Sequence, residues 1–137
     1  MKQSSEYGIA DSTYLAAGGK QGIENLVLDF YQIMGSNPRY KPIFDMHPQN
    51  IELSLDKLAL FLCGWMGGPR LFTEKYGQIA IPAAHQHLSI GEVERDLWLS
   101  CMSEALSKQD YPEALTLYLM QQFFIPAERV RLSSHSS

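Results

Sequence analysis

The chain has 137 residues, enough for one domain with one core, and folding at this length buries roughly two-thirds of the surface that the unfolded chain exposes. With 45% hydrophobic and 19% charged residues it reads as a globular protein and not as a disordered chain. A net charge of −4 with scattered Lys and Arg lacks the footprint of a nucleic-acid binder, and the longest apolar run, the nine residues Leu58 to Met66, is far short of the roughly 20 that span a bilayer.

Met1 to Asp11 is polar and has no apolar stretch of the secretory kind, which makes a cytoplasmic protein the expectation. Tyr14-Leu15-Ala16-Ala17 forms a short helix closed by Gly18-Gly19, since glycine takes the left-handed conformation that ends a helix. Ile23, Leu26, Val27, Phe30, Tyr31 and Met34 then recur at three and four residues, one face of a long helix that Gly35-Ser36-Asn37-Pro38 ends. Pro38, Pro42 and Pro48 leave residues 35 to 50 mostly as connection.

From Ile51 to Met66, Leu55, Leu58, Leu62, Trp65 and Met66 keep helical spacing, while Leu60 and Phe61 widen the stripe until nearly the whole circumference is apolar. Such a helix is expected to be buried on several sides. Gly67-Gly68-Pro69 stops it, and residues 70 to 80 read as a loop or a fragment of helix. Ile90, Val93, Leu97, Trp98, Cys101, Met102 and Ala105 define the third long helix, with Ser89 and Glu92 spaced as a capping box. A fourth starts near Asp110-Tyr111-Pro112 and is expected to run to Pro126, with a frayed tail over 127–137. The fold class is all-α: a single domain over 1–137, four main helices plus small pieces, with 1–10 as an extension.

No phosphate loop, nucleophile elbow or paired-cysteine motif is present, and Cys63 and Cys101 lie within apolar segments as buried free thiols. Chemistry therefore falls to the histidines, tyrosines and tryptophans. His135 sits in the serine tail, whereas His85 and His87 stand in Ile81-Pro82-Ala83-Ala84-His85-Gln86-His87-Leu88, directly before the third helix. On composition alone either histidine also reads as a surface group or a satisfied core group. Zinc would need further ligands at suitable spacing, which are missing. Small residues around an imidazole, with helices rich in Phe, Leu, Met and Trp, suit haem, for which one imidazole and an apolar slot suffice; the same residues also suit a plain core.

Taken together the segments resemble the second group of truncated haemoglobins. The resemblance rests on Phe61-Leu62-Cys63-Gly64-Trp65-Met66-Gly67-Gly68-Pro69, on His85 followed thirteen positions later by Trp98 within Glu94-Arg95-Asp96-Leu97-Trp98, and on Gly18-Gly19 and Phe30-Tyr31; it covers roughly residues 7 to 125. It implies a two-over-two helical sandwich about haem b, iron protoporphyrin IX, with His85 as the iron ligand. Tyr31 and Trp98 are then donors on the ligand side, where a bound gas such as O₂ gathers negative charge. Met46-His47-Pro48 aligns with a further distal position, filled by His47 or, in another register, by Phe44. Ser54 and Leu58 align with positions facing the ligand, and Lys57 with one that reaches a propionate. Phe61, Leu62, Phe72, Ile90, Val93 and Met102 are expected to line the haem. Ala84, Gln86 and His87 depart from the family's usual arginine, proline and aromatic there, so His87 is the substitute for a propionate contact from that side.

The function so implied is binding of O₂, NO, CO or similar ligands, with NO or peroxide chemistry at the same iron as an extension. The chain has no flavin or nicotinamide module, so turnover needs an external reductase. The alternative outside haem chemistry is a helical interaction domain in which the same residues only make a core.

Overall fold

The computed structural model describes residues 7–47, 50–77 and 90–134, with Ser133 and Ser134 described by their backbone alone. The elements are α1 (Ser12–Ala16), α2 (Gly19–Ser36), a 3₁₀ turn (Pro38–Tyr40), α3 (Lys41–Phe44), α4 (Ile51–Trp65), α5 (Leu71–Tyr76), α6 (Glu92–Ser107) and α7 (Glu113–Ser134). No strand occurs among the described residues, and no helix there is long and apolar enough to cross a membrane.

Four long helices make two pairs, α2 on α4 and α6 on α7, and the pairs meet where α2 packs against α6. By contrast α4 and α6 barely touch. The stripe read on α2 accounts for its position: Ile23, Leu26, Val27, Phe30, Tyr31 and Met34 are all buried. Removing each such side chain from water contributes about 1.5–3 kcal/mol. They face Met102, Ala105 and Leu106 of α6, Leu62 and Cys63 of α4, and Leu115, Leu119 and Phe123 of α7 in one core. Both cysteines are free and buried, as expected.

The glycine breaks carry more than helix stops. Gly18, at φ +96°, caps the start of α2 in the left-handed region. A Cβ on Gly68 would lie 2.5 Å from the ring of Tyr14, so the break after α4 is also the seat on which α1 docks. Tyr14 N donates to Met66 O at 3.0 Å, and Tyr111 Oη donates to Ala17 O at 2.8 Å from the far side of α1.

Two local expectations need correction. The third long helix starts at Glu92 with Gly91 as its cap, so Glu92 is its first residue and not the acid of a box; that acid is Glu94, which accepts from Gly91 N at 2.7 Å. Ser89 lies outside the described residues. The fourth helix does not stop at Pro126 but runs through it to Ser134. A proline inside a helix costs about 3 kcal/mol through its lost N–H and its clash with the preceding turn. Ties beyond it offset that cost: Glu128 accepts from Arg95 of α6 at 2.8 Å and from Arg131, and Val130 is buried. In α4, Ala59, Leu60, Leu62 and Cys63 are buried, while Leu53 is exposed and Leu55, Leu58 and Phe61 are only partly covered.

Candidate functional site

Tyr31 sits on the buried face of α2 with 7% of its surface exposed. Among the described residues no group donates to or accepts from its hydroxyl, and burial, followed by the neighbouring Cys101, pushes the phenol far above its ordinary range. A buried donor without a partner costs about 1–3 kcal/mol, so it calls for a reason. The rings on either side are those of Phe30, edge-on at 5.2 Å, and His47, edge-on at 5.3 Å and 89°.

His47 reaches Tyr31 because the chain turns immediately after α3. Its Nδ1 donates to Ile43 O at 2.9 Å and its backbone N to Phe44 O at 3.1 Å, which fixes the ring. Phe44, the other residue aligned with this position, packs instead on the end of α2, where a Cβ on Gly35 would meet its ring at 3.2 Å. The turn is anchored from below by a clamp with no visible signal in the sequence. Tyr40 is fully buried, donates to Glu104, and pairs with Ser100 Oγ at 3.0 Å, both partners belonging to α6. Burial and the Glu104 hydrogen bond hold its phenol above the ordinary value.

Trp98 comes to the same place from α6. Its indole packs edge-on to Phe30 at 5.3 Å and to Phe123 at 5.7 Å, and among the described residues its N–H has no acceptor. From α4, Ser54, Leu55, Leu58 and Phe61 stay partly exposed, with Phe61 edge-on to Phe72 at 6.5 Å. Leu62 and Met102 belong to the closed core, and Ile90 is buried. Val93 is 67% exposed, which rules out core packing for it in this structure. Lys57 lies with its ammonium 5.4 Å from the ring of Tyr76. Beside it, Tyr76 Oη donates to Asp56 at 2.6 Å and Lys75 at 2.9 Å, and the two hold that carboxyl below its ordinary range. His85 and His87 lie outside the described residues.

The arrangement has a chemical logic. Two unengaged donors, one O–H and one N–H, lie one ring apart through Phe30, and α4 presents partly exposed apolar side chains across from an α6 that it barely touches. Such a site suits a flat apolar group carrying a small ligand that accepts hydrogen bonds, and haem meets both requirements. Among the described residues no three His, Cys, Asp or Glu side chains gather as a metal site, whereas a haem iron needs only one imidazole from the protein.

Comparison with known proteins agrees with this geometry. The family model described as "Bacterial-like globin" matches residues 12–127. The chain is 36% identical over 88 residues to the "Group 2 truncated hemoglobin YjbI" of Bacillus subtilis (strain 168), a match spanning 64% of each protein. A cold-adapted truncated hemoglobin from the Antarctic marine bacterium Pseudoalteromonas haloplanktis TAC125 superposes with a TM-score of 0.82 at 32% identity, covering 86% of this chain and 95% of that one. A truncated oxygen-avid haemoglobin from Bacillus subtilis superposes with a TM-score of 0.76 at 30% identity, covering 86% of this chain and 97% of that one.

Proposed function

Because this chain belongs to the bacterial-like globin family, with a truncated globin fold, we propose that it binds haem b and uses it to hold O₂. The observation that carries the reading is the buried hydroxyl of Tyr31, which has no partner among the described residues. Haem iron, when bound, supplies the coordination position for a diatomic gas. His85 is the residue assigned to hold the iron, with its second ring nitrogen oriented by an acceptor.

The chain's own residues then decide how long a ligand stays. Tyr31 O–H donates to the ligand and satisfies at once a hydroxyl that otherwise stays desolvated for nothing. Trp98 N–H is the second donor, held by Phe30 and Phe123 against rotation. His47, with Nδ1 committed to Ile43 O, stands edge-on beside the Tyr31 ring and walls that side of the pocket. Ser54 leaves the solvent side open, and Leu58 and Phe61 shield the ligand with apolar surface. Lys57 exchanges its seat over Tyr76 for a propionate. NO and CO fit the same position, and sustained turnover of reactive nitrogen or oxygen species draws electrons from a separate reductase in the cytoplasm.

An absorption spectrum of the purified protein with one equivalent of haem, ferric and then ferrous, tests the reading. The expected result is a stoichiometric Soret band whose ferrous form shifts on O₂ addition, and its loss or marked change in His85→Ala. A Soret band that is missing, or that survives unchanged in His85→Ala, overturns it.

A further inference from the structure

Tyr31 and Trp98 stand at one end of a line of rings that crosses the molecule. From Trp98 the line passes to Phe123 at 5.7 Å and then to Trp65, stacked on Phe123 at 4.7 Å and 18°. Trp65 lines a cavity of about 140 Å³ that Tyr118 also lines, with Thr13 and Gln122 as polar lining. Tyr118 in turn packs on Tyr7 at 5.3 Å, next to the chain's N-terminal segment. Packing alone explains a ring or two, since aromatic pairs stabilise a core by about 0.5–1.5 kcal/mol each. Here five rings follow one another from the ligand site to the N-terminal segment, and four of them are indoles or phenols.

We propose that Trp98, Trp65, Tyr118 and Tyr7 form an electron relay that lets a hydroperoxide be reduced at the Tyr31 site with electrons drawn from the opposite surface. The relay rests on the haem reading above. Indole and phenol rings lose an electron at potentials that peroxides reach, and the phenyl ring does not, so Phe123 is a bridge that closes the gap between two redox-active rings. Phe30 joins Tyr31 to the same line at 5.2 Å, with Trp98 on its other side at 5.3 Å. The O–O bond of ROOH breaks, two electrons and two protons enter, and ROH and H₂O leave. Each electron passes from Trp98, is replaced through Trp65, and is finally taken from Tyr118 or Tyr7, whose O–H proton leaves at the same time. The cavity at Tyr118 is large and polar enough to hold water that accepts this proton. Each tyrosyl radical regains a hydrogen atom from a small phenol in solution, which becomes a phenoxyl radical, so one ROOH consumes two phenols.

The test uses the haem-loaded full chain, one equivalent of hydrogen peroxide, a nitroso spin trap and peptide mass spectrometry. The expected result is trap adducts on Tyr7 and Tyr118 in the unaltered protein and their loss in Trp65→Phe, with adducts retreating to Trp98 or Tyr31. Trp65→Phe keeps a stacked ring on Phe123, and Tyr7→Phe with Tyr118→Phe provides a second break near the surface that moves the adducts to Trp65. Adducts on Tyr7 that persist undiminished in Trp65→Phe, or that never form while peroxide is consumed, overturn the relay and leave haem binding untouched. A protein that shows no haem spectrum before peroxide is added overturns the reading beneath it instead.

Discussion

Two buried tyrosines, nine positions apart, divide the molecule into a part that is finished and a part that waits. Tyr40 is fully buried, and its hydroxyl is engaged by Glu104 and Ser100 across the groove to α6. Tyr31 is nearly as deep, and among the described residues its hydroxyl meets nothing. Both are held above the ordinary phenol range by burial first, but only Tyr40 has a hydrogen-bonding partner contributing. The difference teaches how to sort buried polar groups in one protein. A satisfied one fixes the fold, and an unsatisfied one costs stability that only a ligand returns.

Truncating the finished side has the largest expected effect. Tyr40→Ala removes a fully enclosed ring together with its anchor on α6, and the loss expected for such a cavity is about 3–5 kcal/mol in chemical denaturation. A loss under about 1 kcal/mol would mean that α3 repacks freely and that the clamp does not hold it. On the waiting side Tyr31→Phe is expected to leave stability unchanged or raised, since it deletes an unpaired hydroxyl. In the haem-loaded protein the same change is expected to speed O₂ release about ten- to a hundredfold, the equivalent of a charge-assisted hydrogen bond of about 1.5–3 kcal/mol. Stopped-flow displacement reads that rate, and an unchanged one would erase the contrast. Tyr40→Phe is the matched control. It keeps the ring, strands Glu104 and Ser100, and is expected to cost about 1–3 kcal/mol with little change in O₂ release.

How far these two regions could be read from sequence follows from how local their causes are. The α2 stripe is a repeat within eighteen residues, so Tyr31 was legible as a buried position, and the family spacing supplied its role. His47 was less so, because whether it or Phe44 stands beside Tyr31 depends on how the turn after α3 folds back; the His47 ring lies 5.3 Å from that of Tyr31, while Phe44 is seated on Gly35. The Tyr40 clamp left no trace, since its partners lie 60 and 64 positions away and a tyrosine between two prolines in a connection looks solvent-bound. Pro126 misled for the opposite reason. The rule that proline ends a helix is local, and the Arg95–Glu128–Arg131 ties that override it reach between α6 and α7. His85 lies outside the described residues, and its role is what the family resemblance implies.

Those ties also offer the smallest perturbation, one that asks whether the waiting region is independent of its surroundings. Arg131 and then Arg95 hold the carboxyl of Glu128 down at about 2 from an ordinary 4.5. A carboxylate whose folded value is depressed contributes stability that is fully present above about 4.5 and is lost as the pH falls toward about 2. Melting curves recorded down through that window are therefore expected to fall more steeply for the unaltered protein than for Glu128→Gln. At neutral pH the variant should melt slightly lower, because both arginines are partly exposed and such pairs contribute little. The part that loosens is the end of α7 beyond Pro126, whereas Phe123, which backs Trp98, lies before the proline and stays in the core. Oxygen release in Glu128→Gln is thus expected to match the unaltered protein. A faster release would show that the charged ties of α6 and α7 help to position the Trp98 donor, joining two regions that the packing keeps apart.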